Sequence, residues 1–163
     1  MFTFTKKTDY AMLALSYLAT EGEGKITGPR EIARRYEIPP ELLAKVMQTL
    51  SRHDIVVSIP GPTGGYRLER AASDISIGEI VEAVDGPLAI AQCWEEDGLD
   101  NCRQAQHCHL RGPLAEIQNE INDLLKRMTL ADVCRRVRAS EPPPTRDFPS
   151  GRVLTMHPTG QEE

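Results

Sequence analysis

Residues 31–68 read EIARRYEIPPELLAKVMQTLSRHDIVVSIPGPTGGYRL, and the changes of pattern along that stretch decide the fold. Ile32, Ala33 and Tyr36 recur at helical spacing until Glu37-Ile38-Pro39-Pro40 breaks the run. A second helix starts from the two prolines, which a first turn tolerates because it leaves N–H groups unbonded anyway. Its apolar stripe is Leu42, Leu43, Val46, Met47 and Leu50, and its other face carries Glu41, Lys45, Gln48, Thr49 and Arg52. The period then becomes strand-like in Ile55–Ile59. The loop Pro60-Gly61-Pro62-Thr63-Gly64-Gly65 returns the chain to Tyr66-Arg67-Leu68. Two helices at a sharp angle followed by a hairpin describe a winged helix-turn-helix, whose second helix suits a DNA major groove. The expected fold class is mainly α with a small β-hairpin wing.

The loop GPTGG also resembles a phosphate loop, but a nucleotide site needs a Lys-Ser/Thr pair opening a helix, and here a strand pattern follows. The glycines read instead as turn formers with positive φ. They would also let the wing, with Thr63, Gly64, Gly65 and the nearby Arg67, come close to DNA.

On the N-terminal side, Thr5 or Thr8 caps a helix with the stripe Tyr10, Leu13, Ala14, Tyr17 and Leu18. Asp9 lies in its first turn, where the helix dipole favours a carboxylate. Glu21-Gly22-Glu23-Gly24 ends it, and Thr27-Gly28-Pro29 opens the next helix. On the C-terminal side, Ser76 and Glu79 form a capping box, with Ile75 placed to staple against Ile80. That helix buries Ile80, Val81 and Val84 and stops at Asp85-Gly86-Pro87.

Periodicity is absent from Leu88 to Arg111. After Gly112-Pro113 a long helix carries Leu114, Ile117, Ile121, Leu124 and Met128 at heptad steps. Buried against an identical helix, that seam would make a two-fold dimer matched to a pseudo-palindromic DNA site. Thr129 and Asp132 open a last helix with Leu130, Val133, Cys134 and Val137 on one side. The proline-rich end, with Pro142, Pro143, Pro144, Pro149 and Pro158, is expected to be disordered. The expected organisation is thus a DNA-binding domain over 1–87, a cysteine-bearing loop over 88–111, a dimerisation helix and short return helix over 112–137, and a tail over 138–163.

The net charge of −5 is unevenly spread: +2 over residues 1–70, −6 over 71–137 and −1 over 138–163. The positive excess falls on the helix-turn-helix, as phosphate contact requires, and its small size makes affinity depend on pairing and geometry. Lys45, Gln48 and Arg52 can donate to base edges, Glu41 can accept from cytosine, and Arg30, Lys6 and Lys7 are candidate phosphate contacts. No acid–base pair or nucleotide fingerprint suggests an enzyme. No segment suits a signal peptide or a membrane span, so the chain is expected in the cytosol, where cysteines stay reduced unless they bind metal or sense redox state.

Cys93, Cys102 and Cys108, separated by eight and five residues, lie in the aperiodic segment CWEEDGLDNCRQAQHC. A long loop of this kind inside a compact protein is usually functional. The spacing lacks the close pairs of zinc ribbons, whereas soft thiolates on an open loop suit zinc or an iron–sulfur cluster. A labile cluster fits three thiols and one spare ligand position better than a closed structural site. A regulatory disulfide is the main rival, and unreactive loop cysteines are the bland reading.

Taken together, these residues resemble the IscR/NsrR-type (Rrf2) family of bacterial winged-helix iron–sulfur transcription regulators. The matching pieces are Thr8-Asp9-Tyr10-Ala11, the helix-turn-helix, and Gly61-Pro62-Thr63-Gly64-Gly65-Tyr66. They continue with Ile75–Ile80, Val84-Asp85-Gly86-Pro87, the three cysteines and Thr129-Leu130-Ala131-Asp132, across roughly residues 1–137. Gly86-Pro87-Leu88 and Cys108-His109-Leu110-Arg111 are similar to the branch that regulates SUF-type iron–sulfur assembly. The resemblance implies a repressor-type regulator, a homodimer, and a 2Fe–2S or 4Fe–4S cluster on Cys93, Cys102 and Cys108 whose state selects DNA sites. A nitric-oxide, thiol-redox or zinc response on the same scaffold is the alternative.

Some features depart from the family. The first two cysteines are further apart than in the IscR and NsrR branches, and Arg111 stands where the IscR branch has its histidine ligand. Arginine is always protonated and cannot ligate. The candidates for the fourth position are therefore Asp9 of the partner subunit, which matches the NsrR-type position, His107 or His109, and an exogenous small ligand or water. Pro60 replaces the arginine that precedes the wing in IscR-type proteins, so that wing contact does not carry over.

Overall fold

The computed structural model describes residues 4–91 and 102–139. Its elements run α1 (Lys6–Thr20), α2 (Pro29–Arg35), α3 (Pro40–Arg52), β1 (Val56–Ile59), β2 (Gly65–Leu68), α4 (Ile77–Asp85), α5 (Arg111–Arg127) and α6 (Leu130–Ala139), with a 3₁₀ turn at Ala72–Asp74. β1 and β2 pair antiparallel with Val56 opposite Leu68 and Ile59 opposite Gly65. This is a winged helix-turn-helix, as the pattern changes predict.

One core holds it together. Leu15 and Leu18 of α1, Ile32 of α2, Leu43, Met47 and Leu50 of α3, Ile55, Ile75, Ile80 of α4 and Leu130 of α6 are all essentially fully buried. Each aliphatic side chain so buried stabilises the fold by about 1.5–3 kcal/mol. The turn between α2 and α3 is tight because Glu37 takes a left-handed conformation at φ 53°. That lets Ile38 donate its N–H to the Ala33 carbonyl and bury its side chain. Tyr17 of α1 donates its hydroxyl to Glu31 of α2 at 2.7 Å and meets the Tyr36 ring edge-on. The Glu31 carboxylate, helped by burial, pushes the Tyr17 phenol up from its ordinary value. The first helix thus braces the helix-turn-helix from behind.

The chain's C-terminal part is tied back by a short β-like bridge between Ser76 and Thr129. Ile77 donates to the Met128 carbonyl at 2.8 Å and Leu130 to the Ile75 carbonyl at 2.9 Å. Each bridge residue also caps a helix. Ser76 exchanges hydrogen bonds with Glu79 at the start of α4, and Thr129 does the same with Asp132 at the start of α6. Both capping boxes are as the sequence predicts, and they sit side by side.

Several expectations need correction. Of the two candidate caps of α1 the structure uses Thr5; Thr8 is buried and gives its hydroxyl to Asp85. The α1 stripe is rotated, with Ala11 and Leu15 inside and Leu13 exposed, since the helix is wedged between α3, α4 and α6 rather than lying on one surface. Leu42 is also exposed, because the start of α3 projects past the core. Val137 is exposed near the end of α6. Helix α5 begins at Arg111, so Gly112 and Pro113 lie within its first turn, where proline's missing N–H costs nothing. Of the wing glycines only Gly61 has positive φ. Gly64 and Gly65 are required by close approach: a methyl group would strike the Ile59 carbonyl at one and the Thr27 carbonyl at the other. The proline-rich tail lies outside the described residues.

Candidate functional site

Glu41, Lys45, Gln48 and Arg52 lie on α3 and are all exposed, while Leu43, Val46, Met47 and Leu50 anchor the same helix in the core. Amphipathic spacing alone fixes this division. Lys6 and Lys7 come from the first turn of α1, and they meet Lys45 across a cleft of about 190 Å³ whose apolar walls include Tyr10, Leu42 and Val84. The structure therefore gathers three cations from two helices that the sequence places 38 residues apart at their closest. Reading Leu42 as core concealed this cleft; its place in the first turn, beside two prolines, was the available signal.

The start of α1 is held by an acid. Asp85, the last residue of α4, accepts from the Thr5 hydroxyl, from the Thr5 N–H at 3.3 Å and from the Thr8 hydroxyl at 2.7 Å. Burial raises its affinity for a proton, but the hydrogen bonds from Thr5 and Thr8 and the charge of Lys7 outweigh that and hold it below the usual aspartate range. One carboxylate therefore fixes the direction from which Lys6 and Lys7 project.

The wing is anchored at its base. Thr27 and Tyr66 exchange hydrogen bonds at 2.9 Å in both directions, which adds a third short extended segment to the hairpin. Gly28 caps α2 directly after that bridge, so the helix start that carries Arg30 is fixed to the wing. Arg30, Thr63 and Arg67 are exposed, with the Arg67 guanidinium donating to the Leu68 carbonyl. Gly64 is half-buried and Gly65 is buried. Gly65 thus serves the wing's anchorage rather than its outer surface.

Cys102 is partly exposed and Cys108 exposed, and both are free thiols. They sit in a run of turns in which Ala105 donates to the Cys102 carbonyl and His107 to the Gln104 carbonyl, immediately before α5. His107 and His109 are exposed beside them. Asp9 is exposed at the start of α1 and pairs with Lys6 at 3.4 Å. Cys93 lies outside the described residues. Among the described residues no three His, Cys, Asp or Glu side chains converge closely enough to hold a metal. The donor chemistry nevertheless fits a thiophilic metal group, since two uncommitted thiols stand open on one short segment.

Along α5, Leu114 and Ile121 are partly buried, while Ile117 and Leu124 are half-exposed. Met128 leaves that row, because the helix ends at Arg127 and the side chain packs on the core. The inner side of α5 is instead Gln118, buried against the segment that follows α4, and Leu125, packed on the core, so the half-exposed Ile117 and Leu124 face away from the chain's own core. Cys134, by contrast, is buried in the core as a small apolar side chain.

Residues 4–136 match a family model described as Rrf2, iron-dependent transcriptional regulator. The chain belongs to the Rrf2 family. It is 30% identical over 129 residues to the HTH-type transcriptional regulator NsrR of Halalkalibacterium halodurans, covering 79% of this chain and 88% of that one. Among solved structures it resembles CymR, the global cysteine regulator of B. subtilis, with a TM-score of 0.67 at 22% identity over 83% of this chain and 98% of that one. It also resembles IscR of T. potens, with a TM-score of 0.66 at 22% identity over 86% and 93% of the two chains. At these identities the structural likenesses establish the winged-helix fold. The family membership makes the Rrf2 chain a transcription regulator and not an enzyme. No helix among its described residues is long and apolar enough to cross a membrane.

Proposed function

We propose that this Rrf2 protein is a cytoplasmic homodimer that binds a pseudo-palindromic operator and reports iron–sulfur status, with SUF-type assembly genes as its targets. The observation that carries the reading is the position of the free thiols Cys102 and Cys108. They stand on the connection between the DNA-reading domain and α5, in a family described as iron-dependent.

In this reading Glu41, Lys45, Gln48 and Arg52 face base edges in the major groove, and Lys6, Lys7 and Arg30 contact phosphates. Thr63, Gly64 and Arg67 bring the wing to the backbone, with Gly65 holding its base. Leu114, Ile117, Ile121 and Leu124 of two copies pack together, which removes the half-exposed Ile117 and Leu124 from water.

Cys93, Cys102 and Cys108 would hold the cluster, with Asp9 of the partner subunit, His107 or His109 in the fourth position. A 2Fe–2S centre is favoured over 4Fe–4S. When bound, such a centre supplies a redox-labile crosslink between the sulfurs. The chain's own part is to convert that crosslink into geometry. The cysteine segment joins α4, at the Asp85 clasp, to α5, so a crosslink along it would set the separation of two α3 helices and hence the half-site spacing that fits.

The test is to purify the protein without oxygen, measure iron and acid-labile sulfide, and assay binding to a duplex selected from random-sequence DNA before and after air. Bound iron with a change in affinity supports the reading. Stoichiometric zinc or a Cys102–Cys108 disulfide would replace it with a zinc or thiol-redox regulator. A metal-free protein whose binding is indifferent to changing all three cysteines to alanine would end it.

A further inference from the structure

Gln118 is the most enclosed side chain of α5, 6% exposed in the middle of a helix whose other residues are all at least partly open. A buried primary amide is costly unless its donors and acceptor are satisfied. Here they are. The Gln118 Oε1 accepts from the Ile90 N–H at 2.8 Å, and its Nε2 donates to the Leu88 carbonyl at 2.8 Å and to Asn122 Oδ1 at 3.1 Å. One side chain thus bonds residues i and i+2 of the segment that follows α4. That segment is the end of the α4–α5 connection that leads to Cys93.

The rest of the α4–α5 contact is lopsided. Near its C-terminal end α5 passes so close to Gly78 that a methyl group there would just touch the backbone of Leu125 and Lys126, at 3.4 Å. Between that touching point and the Gln118 bonds lies a cleft of about 260 Å³ with Asn122 and Leu88 in its walls. The C-terminal half of α5 is therefore seated on α4, whereas its N-terminal half is attached through hydrogen bonds to the 88–90 segment. A displacement of that segment would be passed to α5 through the Gln118 hydrogen bonds.

We propose that Gln118 is the positioning residue that transmits the state of the cysteine segment to α5, and through α5 to the spacing of the reading helices. This rests on the regulatory reading above and adds to it the specific atoms through which the signal passes. Gln118 touches no cysteine and no DNA. It acts by holding Leu88 and Ile90 in register with the helix that carries Ile117 and Leu124.

The test uses the full-length protein, loaded with iron and sulfide and then stripped, as wild type, Gln118→Leu and Gln118→Glu. Leucine removes all three hydrogen bonds. Glutamate keeps the acceptor for Ile90 but loses the donor to Leu88, and it gives a second variant should the leucine one fail to fold. The readouts are bound iron, sedimentation, amide exchange at Ile90 in the stripped protein, and the ratio of affinities of the loaded and stripped forms for the selected duplex. The expected result is unchanged iron and assembly, faster Ile90 exchange, and an affinity ratio reduced at least fivefold in Gln118→Leu and less in Gln118→Glu. A ratio within twofold of wild type, with Ile90 exchange accelerated, would show a purely structural clamp and overturn the proposal. If wild type itself shows no dependence of affinity on loading, the regulatory reading has failed and this inference goes with it. Ile90 exchange then still reports whether the clamp exists.

Discussion

Replacing Gly65 by alanine is a sharp test of how the wing is attached. Gly65 opens β2 and is buried against the Thr27–Gly28 backbone. A methyl group there would overlap the Thr27 carbonyl and lie 2.9 Å from the Gly28 nitrogen, both of them backbone and unable to step aside. Relief requires the paired hydrogen bonds between Thr27 and Tyr66 to open. Each is worth about 0.5–1.5 kcal/mol, and forcing extra volume into a packed site costs about 1–3 kcal/mol. A loss near 3 kcal/mol is expected, out of a total stability of about 5–15 kcal/mol, so the protein folds but melts roughly 10 °C lower. Because α2 starts two residues after Thr27, with only its cap Gly28 between, the wing and Arg30 should also lose their common orientation, and affinity for the selected duplex should fall about tenfold. Gly112→Ala is the control: nothing lies within 4 Å of a methyl there and the residue is helical. It should be neutral or stabilise by about 0.4–1 kcal/mol. Thermal melts and binding assays on both variants decide the matter. If Gly65→Ala melts within 2 °C of wild type, at roughly 2–4 °C per kcal/mol, the anchoring argument is wrong.

Other outcomes follow from the same structure. Ile117→Asp and Leu124→Asp should each leave helix content intact while shifting sedimentation from dimer to monomer; a retained dimer would refute the α5 face as the pairing surface. Cys102→Ala and Cys108→Ala should abolish bound iron and leave the melting temperature of the iron-free protein nearly unchanged, since neither is buried. Cys134→Ala should do the reverse, keeping iron and losing about 1 kcal/mol of stability through a small core void; iron loss in that variant would contradict its core role. Acid should loosen the fold through Glu79, Asp85 and Asp132. At Glu79 and Asp85 burial opposes ionisation and hydrogen bonds overcome it; at Asp132 the bonds from Thr129 dominate. All three folded-state values are lowered, so the unfolded chain binds more protons in that window. Their contribution is complete above the ordinary carboxylate range and is lost as pH falls through the lowered values. Urea melts at stepped pH should show this loss, and Asp85→Asn should flatten it; an equally steep profile in that variant would remove Asp85 from the account.

The sequence by itself determined whatever depends on neighbours in the chain. The helix-turn-helix, the hairpin, the capping boxes at Ser76 and Thr129 and the exposed face of Glu41, Lys45, Gln48 and Arg52 are all written in local periodicity and turn chemistry, and the motif spacing was enough to indicate the family. Tertiary structure decided which of several apolar faces goes inside. Leu13 and Leu42 have the right type and spacing for a core, but α1 is enclosed by three other helices and the start of α3 overhangs, so other residues were buried instead. It also decided where polar groups are spent. Asp85 read only as a helix end, and nothing in the periodicity of the α5 stretch singles out Gln118. Their hydrogen-bond partners lie 77 and 80 residues away for Asp85 and 28 and 30 for Gln118, distances over which no periodicity carries information. Such bonds form only between residues that the fold has already brought together, and so they can be read only from the folded chain.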